Sequence, residues 1–133
     1  MKTKAVLTQT EVTQILAAAR NEANGNSWAV SIAVVDDGGH LLGFERLDGC
    51  APIGGYIAIE KARTSALGRR ESKGYEDMVN GGRTAFVSAP LLTSLEGGVP
   101  LIVEGQVIGA VGVSGVKADQ DAQVAKAGVA AIG

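Results

Sequence analysis

Few side chains in this chain pair a reactive type with a suggestive spacing. Arg46 and Asp48 lie two apart at the end of an alternating stretch, so extended backbone puts both on one face. Lys61 follows in an Ala-rich segment that favours helix. An Arg, a carboxylate and an ammonium together could orient a small carboxylate substrate or polarise an oxygen, with His40 or Lys61 assisting proton transfer. The same groups would equally serve as an ion-pair network tying a strand end to a helix. His40, the sole histidine, could titrate near neutral pH or could simply edge the turn after Gly39. Cys50 would be a nucleophile only with a lowered pKa, and Pro52 signals a helix start close by. A buried, inert thiol accounts for it as well.

Further along, Gly112-Val113-Ser114-Gly115-Val116 approximates a nucleophile elbow but fails it, because Val116 stands where a glycine is required. Ser114 then reads as a strand end, lining a pocket or a turn together with Gly112. Lys61, Arg63, Arg69, Arg70 and Lys73 make a basic stretch, interrupted by Glu60 and Glu71, that could meet an anion or be a solvated helix face. Asp119 and Asp121 are explained by a helix N-cap and the helix dipole. With one His and one Cys, neither a multi-His zinc site nor a structural zinc site fits within one chain.

The elements that must hold these residues follow from local pattern. Thr8, with Glu11 three residues on, has the capping-box spacing, and Val12, Ile15, Leu16 and Ala19 continue at helical spacing to Asn24-Gly25-Asn26. Trp28 to Val35 alternates as a strand, with Val30, Ile32 and Val34 on one face. Asp36-Asp37-Gly38-Gly39 turns the chain, and residues 40–47 return antiparallel. That alternation places His40, Leu42, Phe44 and Arg46 on one face and Leu41, Gly43, Glu45 and Leu47 on the other. A helix is expected over 53–68 and a short one near 75–80, while 84–94 admits a short strand. Gly97 to Ser114 reads as two apolar strands joined by a tight Glu104-Gly105 turn. Glycines at 105, 109, 112 and 115 imply that a ligand, a packed helix or a neighbouring subunit approaches the backbone closely. A last helix starts near Asp119 with Ala122, Ala125, Val129 and Ile132 in a stripe. The order is helix, hairpin, helices, hairpin, helix: an α+β fold with an antiparallel sheet and flanking helices.

Composition sets the bounds. The 133 residues suit a single domain, here 1–133. Hydrophobic residues are 46% of the chain but aromatics only 4%, so the core must be built from small aliphatic groups. A net charge of −2 gives no electrostatic case for nucleic acid. No apolar run approaches the roughly 20 residues of a membrane span, and the apolar stretch after Met1-Lys2-Thr3-Lys4 is too short for a signal peptide. A cytoplasmic setting is expected, and the single Cys50, which excludes an internal disulfide, agrees with it.

Six segments then bear on kinship: Val34-Val35-Asp36-Asp37-Gly38-Gly39-His40-Leu41, Phe44-Glu45-Arg46-Leu47-Asp48-Gly49, Lys61-Ala62-Arg63-Thr64, Gly97-Gly98-Val99-Pro100, Gly109 to Gly115, and Asp119-Gln120-Asp121. In this order they resemble the GlcG/HbpS family, the haem-degrading domain family, which includes the C-terminal domain of PduO-type proteins. Cys50 and Val116 depart from the family's pattern, which often has a small residue at the first position and a glycine at the second. The resemblance implies a profilin-like fold, a homo-oligomer and a small-ligand pocket near segments 38–50 and 109–115. Haem is one ligand it implies, which makes His40 a candidate iron ligand and His40, Cys50, Gly112 and Ser114 candidate ligand contacts. A cofactor-free lyase, isomerase or hydratase using Arg46, Asp48 and Lys61 on a small oxygenated or carboxylated metabolite is the alternative. An accessory or scaffold subunit is a third reading.

Overall fold

The structure, a computed structural model, describes residues 1–132. Helix α1 (Gln9–Gly25) precedes the hairpin β1 (Ser31–Asp36) and β2 (Leu41–Arg46); α2 (Pro52–Gly68), α3 (Lys73–Asn80) and a 3-10 turn at Thr84–Ser88 follow. The chain closes with the hairpin β3 (Gly98–Val103) and β4 (Gln106–Ser114) and with α4 (Ala118–Ala130). The four strands form one antiparallel sheet in the order β2-β1-β4-β3. The expected α+β class and element order are both observed. Residues 84–94 hold the 3-10 turn and no strand, and the sheet stays at four strands.

The β3–β4 turn is the expected two-residue one. Glu104 and Gly105 have φ of 51° and 76°, the all-positive pair that suits the twist of a hairpin. Pro100, which lacks a donor, is tolerated because β3 is an edge strand. At the other edge a bulge interrupts the β1–β2 ladder, since Val34 faces Gly43 but Val35 faces Leu41. Simple alternation therefore holds from Gly43 to Arg46 and fails beyond it. Leu41 shares the face of Val35, not that of Gly43.

Two unequal cores lie on the sheet's faces. Val30, Ile32, Val34, Leu101, Val111 and Val113 pack under α1 and α4, against Ile15, Ala19, Val124 and Ala125. The opposite core is made of Ala33, Val35 and Ala110 on the sheet and Ala58, Ala62 and Ala66 on α2. Its small side chains let α2 lie unusually low. A Cβ added at Gly112 would sit 2.1 Å from the Ala58 carbonyl oxygen, and one at Gly98 would sit 2.2 Å from that of Lys61. The close approach signalled by the glycine-rich strand is thus made by a helix.

Lys61 lies on this buried face of α2. Its Nζ donates to Asp121 Oδ2 at 2.9 Å and to the Val113 carbonyl at 3.0 Å. Asp121 Oδ1 accepts from the Val116 N–H at 3.1 Å. Both side chains are about 95% buried or more. Asp121 is therefore no surface cap residue: the N-cap of α4 is Lys117, and Asp121 joins α4 to α2 at the end of β4. Burial pushes its carboxyl above the usual range, and the Lys61 ammonium offsets part of that rise.

Lys61→Met is expected to cost about 3–5 kcal/mol, because it strands a buried carboxylate. Without the ammonium the Asp121 pKa rises further above its unfolded value. The variant's stability should therefore fall, relative to the parent, as pH rises over the range that begins at the ordinary carboxylate pKa of about 4, where the unfolded chain ionises Asp121 while the folded variant still holds its proton. Pairing Lys61→Met with Asp121→Leu should recover most of the loss, and thermal melts of the three proteins across that range measure it.

Candidate functional site

An apolar concavity lies between the edge strand β2 and the start of α2. Phe44, Arg46, Pro52, Gly55, Tyr56 and Ile59 line it, around a volume of about 260 Å³. Its geometry follows from local sequence. Phe44 and Arg46 are two apart on β2 and face α2 together, since Phe44 pairs with Ala33 of the α2-side core. Pro52 starts α2, and Tyr56 and Ile59 come one and two turns later on the same side. Gly55 leaves room for the Phe44 ring, whose Cζ would be 3.3 Å from an added Cβ.

Arg46 gives the groove its polarity. Its Nε donates to the Cys50 carbonyl at 3.1 Å, which fixes the plane of the guanidinium. It has no carboxylate partner among the described residues. The terminal nitrogens are thus available for bidentate pairing with an incoming carboxylate. Phe44 and Tyr56 remain 37% and 74% exposed, so the groove is open along one side. Such a site suits an apolar molecule carrying an acid group.

The other candidate residues fall elsewhere. Asp48 does not share the face of Arg46, because β2 ends at Arg46 and a turn follows. Asp48 instead lines a hollow with Asn24, Ser27 and Trp28. Lys61 is sealed against Asp121. Arg46, Asp48 and Lys61 therefore do not converge, and the proposed acid–base trio has no common centre. Gly112 is covered by Ala58 and Ala62 of α2, which leaves no room for a ligand. Ser114 ends β4 as expected, and its carbonyl lies 3.7 Å from Cys50 Sγ.

Cys50 is 3% exposed, with its sulfur 3.3 Å from Ser31 Oγ and wedged beneath Gly54. It is a core thiol. His40 is exposed at the turn, its Nδ1 3.1 Å from Asp36 Oδ1. The same carboxylate oxygen accepts from the Gly38 and His40 N–H groups. The bulge breaks the expected alignment of His40 with Phe44 and Arg46. Asp36 follows Val35 and so points to the face opposite α2, taking His40 with it. Among the described residues no three of His, Cys, Asp and Glu cluster as metal ligands. The basic stretch disperses into separate contacts: Arg63 with Glu60, Arg69 with Asp37, Arg70 over the Tyr75 ring and Lys73 with Asp77.

Phe44, Tyr56 and Ile59 were not singled out from sequence as ligand contacts. The signal was present: Phe44 shares the strand face of Arg46, and Pro52, Tyr56 and Ile59 fall at i, i+4 and i+7.

Comparison with known proteins adds four findings. Residues 7–130 match the family model described as haem degrading protein HbpS-like. Protein GlcG of Escherichia coli (strain K12) is 69% identical over 114 residues, covering 86% of this chain and 85% of that protein. The crystal structure of HbpS superposes with a TM-score of 0.90 at 30% identity, over 100% of this chain and 94% of that one. A crystal structure of a PduOC–haem complex gives 0.86 at 25% identity, over 96% of each chain.

The burial of Cys50 is directly testable. In native conditions a thiol reagent such as Ellman's should react with it only slowly, at a rate that follows unfolding. In denaturant one full equivalent should react at once, whereas a fast native reaction would contradict the placement.

Proposed function

This chain belongs to the HbpS-like family, and we propose that it binds a small amphipathic carboxylate, haem foremost, in the groove between β2 and α2. The observation that carries this reading is Arg46, oriented by the Cys50 carbonyl and unpaired at the edge of an apolar groove. The family match and the haem complex of a structural relative support haem as the ligand.

The residues fit haem in a particular way. Phe44, Tyr56 and Ile59 offer an apolar surface to one edge of the macrocycle, and Arg46 meets a propionate. A groove of about 260 Å³, open on one side, cannot enclose the whole group. His40, four residues from Phe44 and thus about 13 Å away along the strand, does not reach it. When bound, haem would supply its own iron chemistry, while this chain's residues hold and orient it.

The protein acts as a homo-oligomer in this reading. Leu41 and Leu42 on the edge strand β2 are exposed apolar surface that a second copy would cover. The lone reduced Cys50 is in keeping with a cytoplasmic setting. Analytical ultracentrifugation should give a mass that is a multiple of the 13.5 kDa chain. A monomer at micromolar concentration would remove this part of the reading.

Haem titration followed by absorbance tests the site. The parent should show a saturable Soret change. Arg46→Ala should weaken binding about tenfold, the loss of one charge-assisted pair, while His40→Ala should bind as the parent does. Undiminished binding by Arg46→Ala, or loss in His40→Ala, would place the ligand elsewhere.

A further inference from the structure

A second hollow lies where α1 ends, lined by Asn24, Ser27, Trp28, Ala29, Leu47 and Asp48 around about 310 Å³. It is independent of the β2–α2 groove and differs from it in chemistry. Helix α1 closes with the Trp28 N–H donating to the Ala23 carbonyl at 2.9 Å and the Ser27 N–H to that of Asn24 at 3.1 Å. This paired closure puts Ser27 at φ 58°, in the left-handed position where glycine is favoured. A serine there takes a conformation that glycine adopts more freely, and it keeps a hydroxyl at the hollow's rim.

Three observations converge on a positively charged occupant. The hollow faces the carbonyl end of a 17-residue helix, the negative end of its dipole, and the last turn of α1 holds no basic residue. Asp48 is an exposed carboxylate that forms no ion pair among the described residues. Trp28 supplies an aromatic surface, which attracts cations and alkyl chains alike. No Lys or Arg lines the hollow.

We propose that this hollow binds the primary ammonium of a small alkylamine. The ammonium has three donors, and the site offers three acceptors: the Asp48 carboxylate, the Asn24 amide oxygen and the Ser27 hydroxyl. The alkyl chain lies along Trp28 and Leu47. Neither the family match nor the groove depends on this site, and neither requires it.

Trp28 is the only tryptophan, so its fluorescence reports on the hollow alone. The probe is n-butylammonium chloride, with sodium chloride at equal ionic strength and n-butanol as controls. A saturable change is expected with butylammonium only, half complete in the millimolar range, about 4 kcal/mol of binding. Asp48→Asn, at an exposed position, should fold normally and shift the half-saturation point upward by about tenfold or more. The site is refuted by any of three results: no saturable change up to about 100 mM amine, an equal response to butanol, or an unaltered curve in Asp48→Asn.

Discussion

Much of this molecule depends on how closely one helix approaches one strand. The backbone of α2 rests on Gly112 and Gly98, at distances that no side chain on either residue could tolerate. Ala58, Ala62 and Ala66 complete the contact, and Ala33 and Ala110 receive them from the sheet. A layer of small residues gains little per side chain from burial but packs densely, so dispersion contacts along the whole helix compensate. The same closeness fixes the height of α2 above β2. It thereby sets the width of the groove in which Phe44 meets Gly55 and Tyr56.

A low-lying helix also determines what its buried face can carry. Lys61 occupies a stripe position, among Ala58, Ala62, Ser65 and Ala66, where its ammonium cannot reach water. Asp121 and the Val113 carbonyl are its answer. The pair joins α2, the end of β4 and α4, three elements from distant parts of the chain. Such a pair contributes little net stability compared with apolar packing, yet it penalises any arrangement in which either partner is left alone. It thus favours the register in which α2 lies across the sheet, and the groove along the first half of the same helix inherits that register.

Most of the architecture was legible in the sequence, for reasons that can be traced to particular residues. Thr8 with Glu11, the Glu104-Gly105 turn and the alternation in β1 are local signals, and local structure obeyed them. What escaped depended on distance or on a single inserted residue. The bulge in β2 cannot be read from alternation, and it separates His40 from Phe44 and Arg46. The ligand-contact reading of Gly112 rested on a true signal, close approach, whose source only tertiary structure reveals. Lys61 and Asp121 each sit on the apolar stripe of a helix, so a search for charges on stripes would have paired them. Arg46 alone of the proposed acid–base trio lines the groove, because the strand ends before Asp48 and the helix turns Lys61 inward.

The groove between β2 and α2 is the central claim, and amide NMR with a diamagnetic haem analogue, zinc protoporphyrin, tests it most directly. The largest shifts should fall on residues 44–46 and 55–59, with the turn at 36–41 little affected. Shifts confined to that turn around His40, or spread without focus over the surface, would contradict it.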